Sequence, residues 1–148
     1  MRYVPDLVIR RPDAAPIAII EVKGAGDLSP ERAKGIFESY LAAVGDVPPA
    51  FFLVVSPQRG YLWKKDALRT DRSANAEFDT NDVFRDYLDP RDEAEVPRGR
   101  TLELVVFRWL LDLASGIRSP HTQADEQLRQ TGFTDSIRDA DVSFGIAA

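Results

Sequence analysis

Two apolar segments near the N-terminus decide the fold, and they read VPDLVI at residues 4–9 and IAIIEVKG at residues 17–24. Each has the length of a β-strand, and the second is apolar on both faces, as a central strand covered on two sides must be. The loop between them contains the turn pair Pro12-Asp13 and is short enough to fold the first strand back on the second. The sequence therefore predicts two neighbouring strands at the start of an α/β sheet.

Three charged side chains interrupt these apolar strands. Side chains on a strand alternate between the two faces, so Glu21 and Lys23 emerge on one side and Val22 on the other. Burying an acid and an ammonium group costs desolvation free energy, which favours a partner or a function for them. The hairpin would bring Asp6 close to Glu21, and two neighbouring carboxylates repel each other unless a divalent cation such as Mg²⁺ neutralises them. The pattern thus predicts a metal site at the end of the second strand.

This arrangement resembles a known family. Pro5-Asp6, fourteen intervening residues and then Glu21-Val22-Lys23 are similar to the motif of the PD-(D/E)xK nuclease superfamily, which has the restriction-endonuclease-like fold. The resemblance implies an α/β protein with a mixed sheet flanked by helices. It also implies a Mg²⁺- or Mn²⁺-dependent, endonuclease-like hydrolase that cleaves phosphodiester bonds of nucleic acid, with DNA as the expected substrate.

The resemblance assigns a role to each residue of the motif. Asp6 and Glu21 would bind the metal, and the carbonyl of Val22 would add a ligand. Lys23 would help to activate water and to stabilise the negative charge that develops on the phosphate. These three side chains are the expected catalytic residues.

The chain departs from the family pattern at its N-terminus. Members usually begin with a helix and a strand before the Pro-Asp strand, and that helix often supplies an additional acid, whereas only four residues precede Pro5 here. The best replacement is the segment at residues 101–116, whose length, apolar circumference and terminal glycine predict a buried helix. It carries Glu103, which is either the additional acid of the site or an ordinary first-turn acid that meets the positive end of the helix dipole.

The rest of the chain predicts further elements in α/β order. Ser29 is a good N-cap for a helix that runs to about Val44 and stops at Gly45. A buried strand at residues 50–55 follows, and because a helix connects it to the earlier strand, the two strands should be parallel. Weaker patterns predict a return strand at residues 61–64, short helices near residues 81–88 and 133–140, and a final edge strand at residues 142–146. The alternative to this final strand is a partly disordered tail.

Length and composition fit one domain over residues 1–148. The chain has 148 residues, of which 44% are hydrophobic, enough for a single core. We expect the nuclease-like core at about residues 1–65 and a helical, acidic C-terminal extension at about residues 66–148. There is no cysteine, which excludes disulfides and thiolate metal sites and is consistent with a reducing cytoplasm. Two charged residues interrupt the longest apolar run, residues 104–113, so we expect a soluble protein without a membrane partner.

The charge is distributed unevenly along the chain. The net charge is −5, which argues against a general electrostatic grip on nucleic acid. Residues 1–72 nevertheless carry 11 Lys or Arg against 9 Asp or Glu, whereas residues 73–148 carry 8 against 15. Within the basic half, the candidate contacts to a phosphate backbone and a base are Arg59, Lys64, Lys65 and Trp63. The alternative is a solvated hairpin end whose aromatic rings pack inward.

Two functions remain open from the sequence. The first is the metal-dependent nuclease, acting as a homodimer or with a partner protein, because so small a chain leaves little surface for sequence recognition. The second is a nuclease-like fold without cleavage that serves as a binding or assembly module with a partner protein. The acidic second half favours the module, and the joint presence of Asp6, Glu21 and Lys23 favours the nuclease.

Overall fold

The computed structural model describes residues 3–24, 28–45, 49–88 and 99–145. In chain order, the helices and strands of these residues are β1 Leu7–Arg10, β2 Ala18–Val22, α1 Pro30–Val44, β3 Phe51–Val55, β4 Arg59–Lys64, β5 Ala76–Asp79, α2 Asn81–Tyr87, α3 Gly99–Ser115, α4 Gln123–Gln130, α5 Phe133–Ser136 and β6 Asp141–Phe144. A short 3₁₀ turn at Lys65–Ala67 follows β4. Within these ranges, no helix has the length and hydropathy that a membrane span requires.

The six strands of the described ranges form one mixed sheet in the order β5-β4-β3-β2-β1-β6. β2 and β3 are parallel, with Glu21 opposite Val54, and α1 connects them. The other neighbouring strands are antiparallel. The predicted α/β class, the hairpin of β1 and β2 and the parallel central pair are therefore confirmed. Because β2 and β3 lie inside the sheet and are covered on both faces, their sequences are apolar almost throughout.

Helices cover both faces of the sheet, and alternate residues of each strand belong to different cores. The strand residues on the face covered by α1 are Val8, Ile19, Phe52, Val54, Tyr61 and Trp63. The strand residues packed with α3 on the other face are Leu7, Ile9, Ile20, Leu53, Val55 and Leu62. Glu21 lies two residues after Ile19, so its side chain belongs to the face that α1 covers.

Helix α1 begins and ends where the sequence predicts. Ser29 is extended, with φ −71° and ψ 157°, and its side chain accepts a hydrogen bond from the N–H of Arg32 at 3.2 Å. This bond satisfies one of the donors that the first helical turn leaves without a partner. Gly45 has φ 86°, a left-handed value, and donates its N–H to the carbonyl of Leu41 at 3.0 Å. Both predicted boundaries of this helix are confirmed.

The second half of the chain completes the same sheet. The sequence predicts α3, the short helices α2 and α5 and the edge strand β6, and the structure contains all four. It also contains β5 and α4, which the sequence alone does not predict. β5 has four residues, Ala76–Asp79, and an alternation over so few positions in a polar segment is a weak signal. Residues 66–148 thus supply two strands of the sheet and the helix α3 that covers one face.

A buried carboxylate fixes the connection between α3 and α4. Asp125 is fully buried and accepts hydrogen bonds from Nε1 of Trp109 at 2.9 Å and from Nε of Arg118 at 3.1 Å. It also forms a capping box with Thr122 at the start of α4. Burial by itself raises the pKa of Asp125. The hydrogen bonds from Arg118, Trp109 and the N–H groups of His121 and Thr122 together outweigh burial, and the pKa lies below its ordinary value. This carboxylate is therefore a structural element that ties α4 to α3.

The last described residues close the sheet beside the N-terminal segment. β6 pairs with β1, with Leu7 opposite Phe144, and the next residue, Gly145, donates its N–H to the carbonyl of Asp6 at 3.0 Å. A Cβ atom at position 145 would lie 1.7 Å from the carbonyl oxygen of Pro5. Only glycine permits this approach, so the end of β6 fixes the segment that carries Asp6.

We expect Gly145→Ala to lower the free energy of unfolding by roughly 1–3 kcal/mol, because the new methyl group overlaps a backbone oxygen that cannot rotate away. Gly35→Ala is the control. No atom lies within 4 Å of a Cβ at this helical position, and alanine stabilises a helix by about 0.5–1 kcal/mol relative to glycine. Urea unfolding followed by circular dichroism measures both variants. Equal stability of Gly145→Ala and the wild type would show that β6 does not hold the segment at Pro5.

Candidate active site

The charged residues of the predicted motif meet at one end of the sheet. Asp6 directly precedes β1, and because Leu7 is paired with Ile20, Asp6 lies beside the end of β2 that carries Glu21. β2 and β3 are parallel and end side by side at the same place. The two carboxylates are close enough for the charge of Asp6 to affect Glu21. The predicted hairpin therefore brings the two acids together.

The side chain of Asp6 is held by the backbone of β2. Its Oδ2 accepts a hydrogen bond from the N–H of Val22 at 2.7 Å. Its main-chain carbonyl accepts the bond from Gly145 at 3.0 Å. Asp6 is thus attached on one side to β2 and on the other to the end of β6, and its carboxylate has a defined position at the sheet end.

Glu21 is the more deeply buried member of the carboxylate pair, with an exposed fraction of 7%. The hydroxyl of Tyr3 donates a hydrogen bond to Oε1 of Glu21, and the ammonium of Lys23 lies 3.6 Å from Oε2. Lys23 extends towards solvent, since 42% of its side chain is exposed. The site therefore combines a buried carboxylate with a cation that a ligand from solvent can reach.

Burial raises the pKa of Glu21 above its ordinary value. The hydrogen bond from Tyr3 lowers this pKa, and the charge of Lys23 also lowers it. The charge of Asp6 and a side-chain hydrogen bond with Asp6 both raise it. The net direction is upward, so desolvation and carboxylate repulsion exceed the stabilisation from Tyr3 and Lys23. Burial and the bond to Glu21 also raise the pKa of Tyr3, so its hydroxyl keeps its proton and acts as a donor.

The oxygen atoms at this position fit a hard divalent cation. Asp6 and Glu21 supply two carboxylates, and a cation between them would relieve the repulsion that raises the pKa of Glu21. Within the described ranges, no group of three or more His, Cys, Asp or Glu side chains is arranged to hold a metal. Further ligands would therefore be backbone oxygens such as the carbonyl of Val22, together with water, as is usual for Mg²⁺.

Glu103 lies apart from the carboxylate pair. It belongs to α3, and the buried residues of α3 pack on the face of the sheet opposite to the face that bears Glu21. Its carboxylate is 3.3 Å from the guanidinium of Arg100, three residues earlier in the same helix. The structure thus gives Glu103 an ion pair within its helix and does not bring it to Asp6 and Glu21 as an additional acid.

Trp63 is part of the core. It is 1% exposed, its Nε1 donates to the carbonyl of Arg72 at 2.8 Å, and its ring stacks on Phe37 with a centroid distance of 4.8 Å. An indole buried in this way has no face available for a nucleic-acid base. The expected contact of Trp63 with nucleic acid is therefore corrected, and the alternative, in which the aromatic rings of this hairpin pack inward, describes the structure.

The three predicted basic contacts lie at different ends of the sheet. Arg59 is at the end that carries Glu21, and there it forms an ion pair with Glu77. Lys64 is paired with Phe51, at the opposite end of β3, and Lys65 follows it. A five-residue strand such as β3 spans about 13 Å or more, so Lys64 and Lys65 do not share one surface with the carboxylates.

Two contributors to the site are not predicted from the sequence. Tyr3 contacts Glu21 through its hydroxyl, and Gly145 fixes the carbonyl of Asp6. Tyr3 lies only three residues before Asp6, and its nearness to the motif is the sole sequence signal. Gly145 is near the other end of the chain, and its contact with Asp6 depends on the pairing of β6 with β1.

Comparison of the chain with protein-family models, with curated proteins and with solved structures found no match in any of the three. The class that the structure defines is an α/β protein with a mixed six-stranded sheet flanked by helices. The functional argument therefore depends on the geometry of the site.

We expect Glu21→Gln to stabilise the metal-free protein above neutral pH. The folded state raises the pKa of Glu21, so between the ordinary and the raised value the folded protein binds more protons than the unfolded one. The free energy of unfolding of the wild type therefore falls as the pH rises through this window. A glutamine at position 21 does not ionise, so the variant does not lose this stability. The variant should melt at a higher temperature than the wild type at about pH 8, and the difference should shrink on acidification.

Thermal unfolding in EDTA measures this difference. Glu38→Gln is the control, because Glu38 is exposed on α1, and its melting temperature should follow that of the wild type at each pH. If Glu21→Gln were less stable than the wild type throughout, Tyr3 and Lys23 would fully compensate the buried charge of Glu21.

Proposed function

We propose that this protein is a Mg²⁺- or Mn²⁺-dependent nuclease, with DNA as its substrate, built on a variant of the restriction-endonuclease-like fold. One observation carries the proposal: a buried carboxylate, a second carboxylate and an accessible ammonium group converge in Glu21, Asp6 and Lys23. A structural role does not explain this arrangement, because burial and repulsion destabilise the charged form of Glu21. Charged groups whose pKa is perturbed in this way are typical of functional sites.

The residues of the motif have distinct roles in this proposal. Asp6, Glu21 and the carbonyl of Val22 would hold the cation, which supplies activation of water and neutralisation of phosphate charge. Lys23 supplies a positive charge at the solvent side of the site, where its ammonium can contact a phosphate oxygen. That contact stabilises the negative charge that develops as water attacks phosphorus and the leaving sugar oxygen departs with a proton.

A second copy of the chain or a partner protein completes substrate binding in this proposal. The net charge of −5 and the position of Lys64 and Lys65 at the other end of the sheet give the single chain little electrostatic affinity for a polyanion. A homodimer would present two sites and so address both strands of a duplex. We also propose a cytoplasmic location, with which the lack of cysteine is compatible.

The contacts of the Glu21 carboxylate with Tyr3 and Lys23 support a second candidate function. This is a nuclease-like binding or assembly module without cleavage. Tyr3 and Lys23 each contact one oxygen of this carboxylate, so the protein itself supplies partners for both oxygens. The acidic second half of the chain would then favour a partner protein over nucleic acid. The two candidates differ in whether the site needs a metal, and the next experiments separate them.

We expect the wild type to cut supercoiled plasmid, single-stranded DNA or RNA in Mn²⁺ or Mg²⁺ and to stop cutting in EDTA. Glu21→Ala removes a metal ligand and Lys23→Ala removes charge stabilisation, so each should lower the cleavage rate by about 100-fold or more. Gel electrophoresis of the products over time gives the rates, and the preferred substrate gives the class of nuclease.

Glu126→Ala is the matched control for these two variants. Glu126 forms a surface ion pair with Arg129 on α4 at 2.8 Å, so its loss should leave cleavage at the wild-type rate. Glu103→Ala should also retain cleavage, because Glu103 is paired with Arg100 and lies on the other side of the sheet. Cutting that survives Glu21→Ala and Lys23→Ala would come from a contaminant and contradict the proposal. Absence of cutting under every condition would favour the assembly module.

Mn²⁺ should also stabilise the folded wild type, because a ligand that binds only the folded state shifts unfolding by mass action. At a Mn²⁺ concentration about 100 times its dissociation constant, the gain is about 2.7 kcal/mol. Asp6→Asn keeps the size of the side chain but removes its charge, and should reduce the gain. Asp66→Asn, at an exposed position after β4, should keep it. Equal gains in Asp6→Asn and the wild type, measured by thermal unfolding, would place the metal elsewhere.

A further inference from the structure

One oxygen of each carboxylate in the site is held by an uncharged hydrogen-bond donor. The N–H of Val22 donates to Oδ2 of Asp6 at 2.7 Å, and the hydroxyl of Tyr3 donates to Oε1 of Glu21. Oε2 of Glu21 faces the ammonium of Lys23 at 3.6 Å. The two oxygens of Glu21 therefore have different neighbours, since Oε1 accepts from an uncharged hydroxyl and Oε2 faces a cation.

The phenol ring of Tyr3 is itself held in place. It lies edge-on to the ring of Tyr40, with a centroid distance of 4.9 Å and an interplanar angle of 72°. Tyr40 is 6% exposed on α1, and its ring centroid is 4.6 Å from that of Phe52 on β3. This aromatic stack connects Tyr3 to the core, although Tyr3 belongs to no strand. A donor fixed by packing in this way orients the carboxylate that it contacts.

We propose that Tyr3 is a positioning residue of the metal site and that it acts through Glu21. By holding Oε1, the Tyr3 hydroxyl fixes the rotation of the carboxylate, so that Oε2, which faces the Lys23 ammonium at 3.6 Å, would be the oxygen that binds the cation. This inference rests on the proposed metal-dependent function. An uncharged hydroxyl suits the role because, unlike the ammonium of Lys23, it adds no positive charge that opposes cation binding. Removal of a group that hydrogen-bonds to a metal ligand typically weakens metal binding by about 10- to 100-fold.

The test is a titration of the full chain with Mn²⁺ alone, followed by electron paramagnetic resonance of the free ion. Tyr3→Phe removes only the hydroxyl, and its Mn²⁺ dissociation constant should rise by about tenfold. Tyr40→Phe is the matched control, because it removes a hydroxyl from the neighbouring ring of the same stack and leaves the bond from Tyr3 to Glu21 in place. It should bind Mn²⁺ as the wild type does.

A second measurement separates positioning from packing. If Tyr3 acts on metal binding, cleavage by Tyr3→Phe should recover the wild-type kcat at saturating Mn²⁺, because the defect lies in metal occupancy. A merely structural role of Tyr3 would lower the melting temperature of the variant and leave its Mn²⁺ dissociation constant unchanged.

Two results would overturn the role of Tyr3 alone. The first is unchanged or tighter Mn²⁺ binding by Tyr3→Phe, which would show that the hydroxyl does not assist the ligand. The second is an equal loss of affinity in Tyr3→Phe and Tyr40→Phe, which would assign the effect to packing of the rings. In both cases the wild type binds Mn²⁺ and the proposed function stands. If the wild type itself binds no Mn²⁺, the metal-dependent function fails and the role of Tyr3 fails with it.

Discussion

The burial of the Glu21 carboxylate at the end of a central strand is the constraint on which the site depends. Parallel pairing of β2 with β3 sets Glu21 opposite Val54, and only 7% of the residue is exposed. Desolvation then raises its pKa, and the neighbouring Asp6 adds repulsion. The hydroxyl of Tyr3 and the ammonium of Lys23 lower the pKa of Glu21, but they do not return it to its ordinary value. In the proposed function, a divalent cation held by Asp6 and Glu21 would relieve the repulsion between the two carboxylates.

Asp125 and Glu21 are the two most buried acids of the described ranges, and a comparison shows why one is structural and the other is a candidate for function. Asp125 is fully buried, yet hydrogen bonds from Trp109, Arg118 and the start of α4 lower its pKa. Glu21 is almost as buried, but its donors are too few and its pKa is raised. Burial is common to both carboxylates, so the number and charge of their hydrogen-bond partners decide whether the pKa is lowered, as in Asp125, or raised, as in Glu21.

Both ends of the described chain contribute to the position of Asp6. Its carboxylate is bonded to Val22 in β2, and its carbonyl is bonded to Gly145 after β6. Because β6 is an edge strand of four residues, its pairing with β1 is the only strand contact on that side of the motif within the described ranges. The absence of a side chain at position 145 lets the two segments approach, which links the stability of the C-terminal strand to the geometry of the site.

The sequence by itself determined the α/β class, the β1–β2 hairpin, the boundaries of α1 and the parallel central pair, because apolar periodicity and capping act between residues close along the chain. It also singled out Asp6, Glu21 and Lys23, since charged residues in an apolar strand are conspicuous. Only the tertiary structure decided that Tyr3 holds Glu21, that Trp63 is buried and that Glu103 lies on the other face. These three facts depend on how the helices and strands pack against one another. That packing is set by contacts between residues distant in sequence.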